Sequence, residues 1–139
     1  MDELVRDIMT KDLLTISEKD TALKAAQLMS EKGVSSLIVL SDEQPIGIIT
    51  ERDFIKKVCL KELKLSSVKV GDMMSKIRTS ASPDTSIDVA VQRMVNNRIR
   101  RLPIIENGKL VGIITVTDLA KHLRTILLLN RALSYHSSQ

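Results

Sequence analysis

The chain has 139 residues, with 21 Lys and Arg against 17 Asp and Glu for a formal charge of +4, and 43% of it is hydrophobic. That balance belongs to a globular chain of one domain or two small coupled units, and it excludes a disordered tail and a collagen-like repeat. One cysteine and two histidines argue against an intrachain disulfide or a structural zinc cage, and one Phe with one Tyr leaves a basic chain without rings to stack on nucleobases.

The opening MDELVRD is acidic where a secretory signal begins basic and turns apolar. No apolar run approaches the roughly 18 residues of a membrane-spanning helix, so a cytoplasmic protein without membrane contact is expected. Residues 13–17 read as extended. Asp20-Thr21 then signals a helix start, with Ala22, Ala25, Ala26 and Met29 on its buried face and Gly33 as its C-terminal cap. Strands are expected at residues 36–40 and 46–50 around a loose turn, Asp42-Glu43-Gln44-Pro45, and a second helix opens at Glu51 and carries Cys59 as a small packed side chain. Residues 61–69 form the natural linker. The order then recurs: an extended stretch at 78–82, a helix start at Asp84-Thr85, and an apolar face of Ile87, Ala90, Val91, Met94 and Val95. Strands at 101–105 and 109–115 flank the hairpin signal Asn107-Gly108, and a helix begins at Val116. That helix runs on through residues 124–133 with more leucine than a solvated helix tolerates, so it is expected to pack on a partner, with residues 134–139 as a polar tail.

Sliding the sequence on itself makes the recurrence explicit, because residues 5–58 superpose on 70–123 at a constant offset of 65 without a gap. Val5/Val70, Met9/Met74, Ala25/Ala90, Met29/Met94 and Leu37/Leu102 are among 15 identities over 54 positions. The chain is a tandem of two homologous β-α-β-β-α units, one over 1–60 and one over 70–123, with 124–139 as an extension. A unit of roughly 55 residues leaves much apolar surface uncovered, so the two are expected to pack through their sheets in an α/β (α+β) fold.

The longest local identity joins Gly47-Ile48-Ile49-Thr50-Glu51-Arg52-Asp53 to Gly112-Ile113-Ile114-Thr115-Val116-Thr117-Asp118, a strand leaving directly into a helix. Such a corner offers free backbone N–H groups and a positive dipole end to phosphate or carboxylate. Thr50 and Thr115 add a hydroxyl, and Asp53 and Asp118 have the acceptors for a vicinal diol such as ribose, at roughly 1.5–3 kcal/mol per charge-assisted bond. Thr-x-x-Asp at a helix start is equally a capping box. Both readings stand at this point.

The Gly-apolar-x-Thr-x-x-Asp pattern, present twice at the end of a repeated unit, resembles the cystathionine-beta-synthase (CBS) domain, usually found as a tandem pair called a Bateman module. Ile8-Met9-Thr10 and Met73-Met74-Ser75, Ala25-x-x-x-Met29 and Ala90-x-x-x-Met94, and Leu102-Pro103-Ile104-Ile105 carry the resemblance further, over nearly all of residues 5–123. The first unit departs in having Leu37-Ile38-Val39 without the proline. The resemblance implies two units related by a pseudo-two-fold axis, with clefts that take AMP, ADP, ATP or S-adenosylmethionine. It implies that Asp53 with Thr50, and Asp118 with Thr115, hold the ribose. Arg52 and Thr117 would face the same corners, Ile48 and Ile113 would line the base pocket, and Thr10 and Ser36 belong to the same set.

The clefts are expected to differ, since Ser35-Ser36 in the first unit corresponds to Arg100-Arg101 in the second. Basic residues here resemble the phosphate-binding positions of the gamma subunit of AMP-activated protein kinase, so Arg100 or Arg101 is expected to fix a phosphate bidentately. Neighbours on a strand point to opposite faces, which allows only one of them into a cleft; a solvated basic edge with Arg98 is the plainer reading. No nucleophile with its base, zinc spacing or Walker loop is present, so an enzyme is not expected, and the resemblance implies a non-enzymatic adenine-nucleotide sensor without a required cofactor. The resemblance also implies a homodimer, and a regulated protein in trans is expected. An S-adenosylmethionine sensor and a nucleic-acid-binding protein are the alternatives.

Overall fold

The computed structural model describes residues 3–137, which divide into two units that do not follow the repeat boundaries. One unit contains residues 13–78 with 106–110, and the other contains residues 3–12, 79–105 and 111–137. Each repeat's opening segment thus lies with the body of the other repeat. Of the expected polar tail, residues 138 and 139 lie outside the described residues.

In the first unit β1 (Thr15–Ser17) leads to α1 (Ala22–Lys32), and β2 (Ser36–Ser41) and β3 (Gln44–Thr50) form a hairpin. Next come α2 (Glu51–Phe54), which widens into a π turn at Ile55–Cys59, and then α3 (Val70–Met73) and β4 (Ser75–Lys76). The sheet order is β1-β2-β3-β4, with β1 parallel to β2 and the other neighbours antiparallel. Thr21 caps α1 by accepting from the Lys24 N–H, and Gly33 closes it in the left-handed conformation at φ 66°. Ala22, Ala25 and Met29 face the core as the spacing requires, and Ala26 is half-buried. The turn at Asp42-Glu43 is tighter than the sequence suggests. Both residues take positive φ (47° and 69°), the backbone of a two-residue hairpin turn, without a glycine.

The second unit repeats this layout with fewer regular hydrogen bonds. It has α4 (Ile87–Asn97), the hairpin β5 (Arg101–Glu106) and β6 (Lys109–Thr115), and the long α5 (Val116–Ser137). Single bridges replace the outer strands: Ala81 pairs with Ile104 where Ile16 pairs with Val39, and Thr10 pairs with Ile113 where Ser75 pairs with Ile48. The expected strand at 78–82 is therefore one bridge. The cap of α4 is Ser86, not Asp84-Thr85, and Ser86 is the offset partner of Thr21. Arg98 stands where Gly33 does in the first repeat and takes the left-handed conformation at φ 53°. Val95 is exposed instead of sharing the buried face, and so is Cys59.

Each core is aliphatic. Val70 and Met73 are fully buried with Ile16, Leu37, Val39 and Ile49 in the first, and Val5 is fully buried with Leu102, Ile104 and Ile114 in the second. Val5 and Val70 are offset partners, so each opening segment anchors itself in the other repeat's core by the same side chain. Backbone bonds fix the exchange: Val5 N–H donates to Thr85 O and Arg6 N–H to Pro83 O, while Val70 N–H donates to Asp20 O and Gly71 N–H to Glu18 O. Among the described residues no helix is long and apolar enough to cross a membrane.

The glycines of the repeated motif are required by proximity. A Cβ on Gly47 would lie 2.5 Å from the Met74 sulfur and 2.8 Å from the Ser75 carbonyl oxygen, and one on Gly112 would lie 2.6 Å from the Met9 sulfur. Gly47→Ala is therefore expected to cost about 1–3 kcal/mol, as overpacking does. Gly112→Ala should cost less, because only the flexible Met9 side chain must yield. Urea unfolding followed by far-UV circular dichroism checks this order, and an equal cost would contradict it.

Candidate functional site

Both strand-to-helix corners are capping boxes. Thr50 N–H donates to Asp53 Oδ2 at 2.9 Å and Asp53 N–H to Thr50 Oγ1 at 3.4 Å; Thr115 N–H donates to Asp118 Oδ2 at 2.9 Å and Asp118 N–H to Thr115 Oγ1 at 3.1 Å. The extended backbone of Thr50 leads straight into the first helical turn, which brings the carboxylate back over the cap.

Each carboxylate also receives a hydroxyl from the exchanged segment. Ser75 Oγ donates to Asp53 Oδ1 at 3.3 Å, and Thr10 Oγ1 donates to Asp118 at 3.0 Å (Oδ1) and 3.1 Å (Oδ2). The structure thus brings Thr10 to the aspartate of the second repeat. Ser75, which the sequence presents only within the repeated Met73-Met74-Ser75 match and not as a site residue, performs the same task for the first, and the 65-residue offset from Thr10 points to it.

The remaining contacts separate the corners. A carboxylate has about four acceptor positions. At Asp53 all are taken: Thr50 N–H and Thr50 Oγ1 (3.2 Å) reach Oδ2, and Ser75 Oγ and Lys57 Nζ (3.1 Å) reach Oδ1. Its side chain is only 9% exposed. At Asp118, half-buried, the described residues supply two donors, Thr115 N–H and the shared Thr10 hydroxyl, which leaves about two positions open.

The neighbouring cation differs too. The offset partner of Lys57 is His122, which pairs instead with Glu3. The offset partner of Arg101 is Ser36, which is buried at the start of β2. Arg101 is half-buried at the start of β5. Burial pushes its guanidinium below the ordinary value, and the Asp118 carboxylate pulls it back up. It stays charged at neutral pH. Among the described residues it forms no ion pair within 4 Å.

The other nominated residues are less involved. Arg100 is exposed just before β5, and its carbonyl accepts from Val116 N–H, whereas Arg101 opens the strand and is half-buried. Arg52 and Thr117 are exposed on the first helical turns. Ile48 is half-buried opposite Ser75, and Ile113 is buried opposite Thr10.

The sequence profile of the CBS domain matches residues 5–59 and 70–125. The chain belongs to the CBS-domain family. It carries two such domains in tandem. MK0525 from Methanopyrus kandleri is 38% identical over 117 residues, 83% of this chain and 60% of that protein, so the chain spans less than two thirds of this relative. The CBS domain-containing protein YhcV from Bacillus subtilis is 34% identical over 84% of this chain and 82% of its own length. Among solved structures, a conserved protein from Pyrococcus horikoshii aligns with a TM-score of 0.79 at 31% identity, covering 89% of this chain and 94% of that one.

Removing the Asp53 carboxylate leaves the ammonium and three other donors without their acceptor. Asp53→Ala is expected to cost about 2–3 kcal/mol, given the partial exposure of Lys57. Asp118→Ala, which loses chiefly a cap and one hydroxyl bond, should cost about 1 kcal/mol. Chemical denaturation of both ligand-free variants measures the difference, and the reverse order would refute the assignment of contacts.

Proposed function

We propose that this CBS pair is a non-enzymatic regulatory module that binds an adenosine ligand at the Asp118 corner. The observation that carries the reading is the pair of open acceptor positions on Asp118 beside the half-buried Arg101. Two open acceptors suit a vicinal diol, and a guanidinium without an ion pair among the described residues suits a phosphate or another anion in a planar, two-pronged contact. Asp118 and Thr115 hold the ribose, Arg101 holds the anionic group, and Ile113 with its neighbours supplies an aliphatic wall. Thr10 shares the carboxylate with the ligand, so ligand hydroxyls compete with it for the same oxygens. That competition ties occupancy to the placement of residues 3–12, and a partner protein then reads the difference between the two states.

Calorimetric titration of the nucleotide-stripped protein tests this directly. Asp118→Ala should weaken AMP, ATP and 5′-methylthioadenosine alike by at least tenfold. Arg101→Met should weaken AMP and ATP by roughly tenfold or more, since each charge-assisted bond is worth about 1.5–3 kcal/mol, and leave the phosphate-free nucleoside within about twofold. Tighter binding of S-adenosylmethionine than of the nucleotides would change the ligand and keep the site. Absence of binding by all of them would sink the reading.

The same reading includes self-association through α5. Leu123, Leu127, Leu128, Leu129 and Leu133 are all more than half exposed, on several sides of one helix, and a second copy presents the same apolar surface. Light scattering across a concentration series should give at least a dimer, and Leu127→Glu with Leu128→Glu should give a monomer.

A further inference from the structure

We infer that Lys57 is a resident cation of the Asp53 corner, and that it restricts this chain to one adenosine ligand, at Asp118. The inference rests on the adenosine reading above and adds which corner is closed and by what.

The ammonium has three protons, and each has an acceptor: Met73 O at 2.9 Å, Asp53 Oδ1 at 3.1 Å and Met74 O at 3.4 Å. The carboxylate is filled in turn, by Lys57, Ser75 and the two donors of Thr50. Neither partner has a position left for a ligand hydroxyl. A neutral diol entering here would replace a hydrogen bond between two opposite charges by one charged on the acceptor side alone, and leave an ammonium facing two carbonyls, so exchange is unfavourable.

The backbone is built to this end. Lys57 sits within the π turn Ile55–Cys59, where Leu60 N–H donates to Ile55 O and Leu63 N–H to Val58 O, both five residues back. Such turns are rare and concentrate at functional positions. The matching stretch of the second repeat lies in the regular helix α5, with His122 in the place of Lys57 and drawn to Glu3. The lysine-for-histidine exchange and the altered turn thus distinguish the closed corner from the open one.

Calorimetric stoichiometry tests the inference on the full chain, with AMP and 5′-methylthioadenosine as probes. Wild type should take one ligand per chain, lost in Asp118→Ala. Lys57→Met should take two, and the double variant with Asp53→Ala should return to one. Lys57→Gln, which keeps a donor for the Met73 and Met74 carbonyls, serves where Lys57→Met does not fold, with circular dichroism as the check. A purely structural Lys57 would create no second site, so folded Lys57 variants that still take one ligand overturn the inference, as does a wild type that takes two. If wild type takes none and Lys57→Met takes one that Asp53→Ala abolishes, the closure by Lys57 stands and the Asp118 assignment falls. If neither wild type nor any Lys57 variant binds, the adenosine reading falls and this inference with it.

Discussion

The close approach of one repeat's opening segment to the other repeat's glycine is the constraint on which both corners depend. Gly47 and Gly112 lack the side chain that would hold Met74-Ser75 and Met9-Thr10 away. Because the backbones meet there, a Ser or Thr hydroxyl reaches the aspartate of the other repeat, and Val70 or Val5 is driven into its core. The aspartate is at once a cap for its own helix and an anchor for a segment far away in sequence. A local rule of helix termination and a long-range rule of assembly meet in one carboxylate.

On this shared frame the two corners have exchanged the source of their positive charge. The first has a small buried serine on the strand and a lysine on the helix, whereas the second has an arginine on the strand and a histidine on the helix. The position of the cation matters more than its presence. A lysine four residues along the helix folds back on the carboxylate and also satisfies two carbonyls, which makes it part of the wall. The strand-borne guanidinium of Arg101 is half-buried, feels the Asp118 carboxylate, and forms no ion pair within 4 Å among the described residues.

Much of the architecture was legible in residues that act locally. The left-handed cap at Gly33, the hairpin at Asn107-Gly108 and the alanine-methionine faces of α1 and α4 all follow from short-range geometry. Errors arose where a local signal was read without the repeat register. Asp84-Thr85 looks like a cap, but the offset from Thr21 leads to Ser86, and Asp42-Glu43 looks loose until it is set against Asn107-Gly108. Val95 fits the helical period and is nevertheless 65% exposed, while Ala90 and Met94 on the same helix are buried.

The sequence by itself determined the tandem repeat, the order of elements, the two Thr-x-x-Asp corners and the family to which they belong. These are set by periodicity, capping chemistry and identity at a constant offset, all of which act over a few residues or are visible as copies. Only the tertiary structure decided which segment completes which corner, and which carboxylate is already full. Thr10 meets Asp118 across 108 positions of chain, and Ser75 meets Asp53 across 22, while Lys57 meets Asp53 and the Met73 carbonyl together. Spare hydrogen-bonding capacity is a property of everything that surrounds a group in space, and two identical motifs acquire different capacity from neighbours that no local pattern specifies.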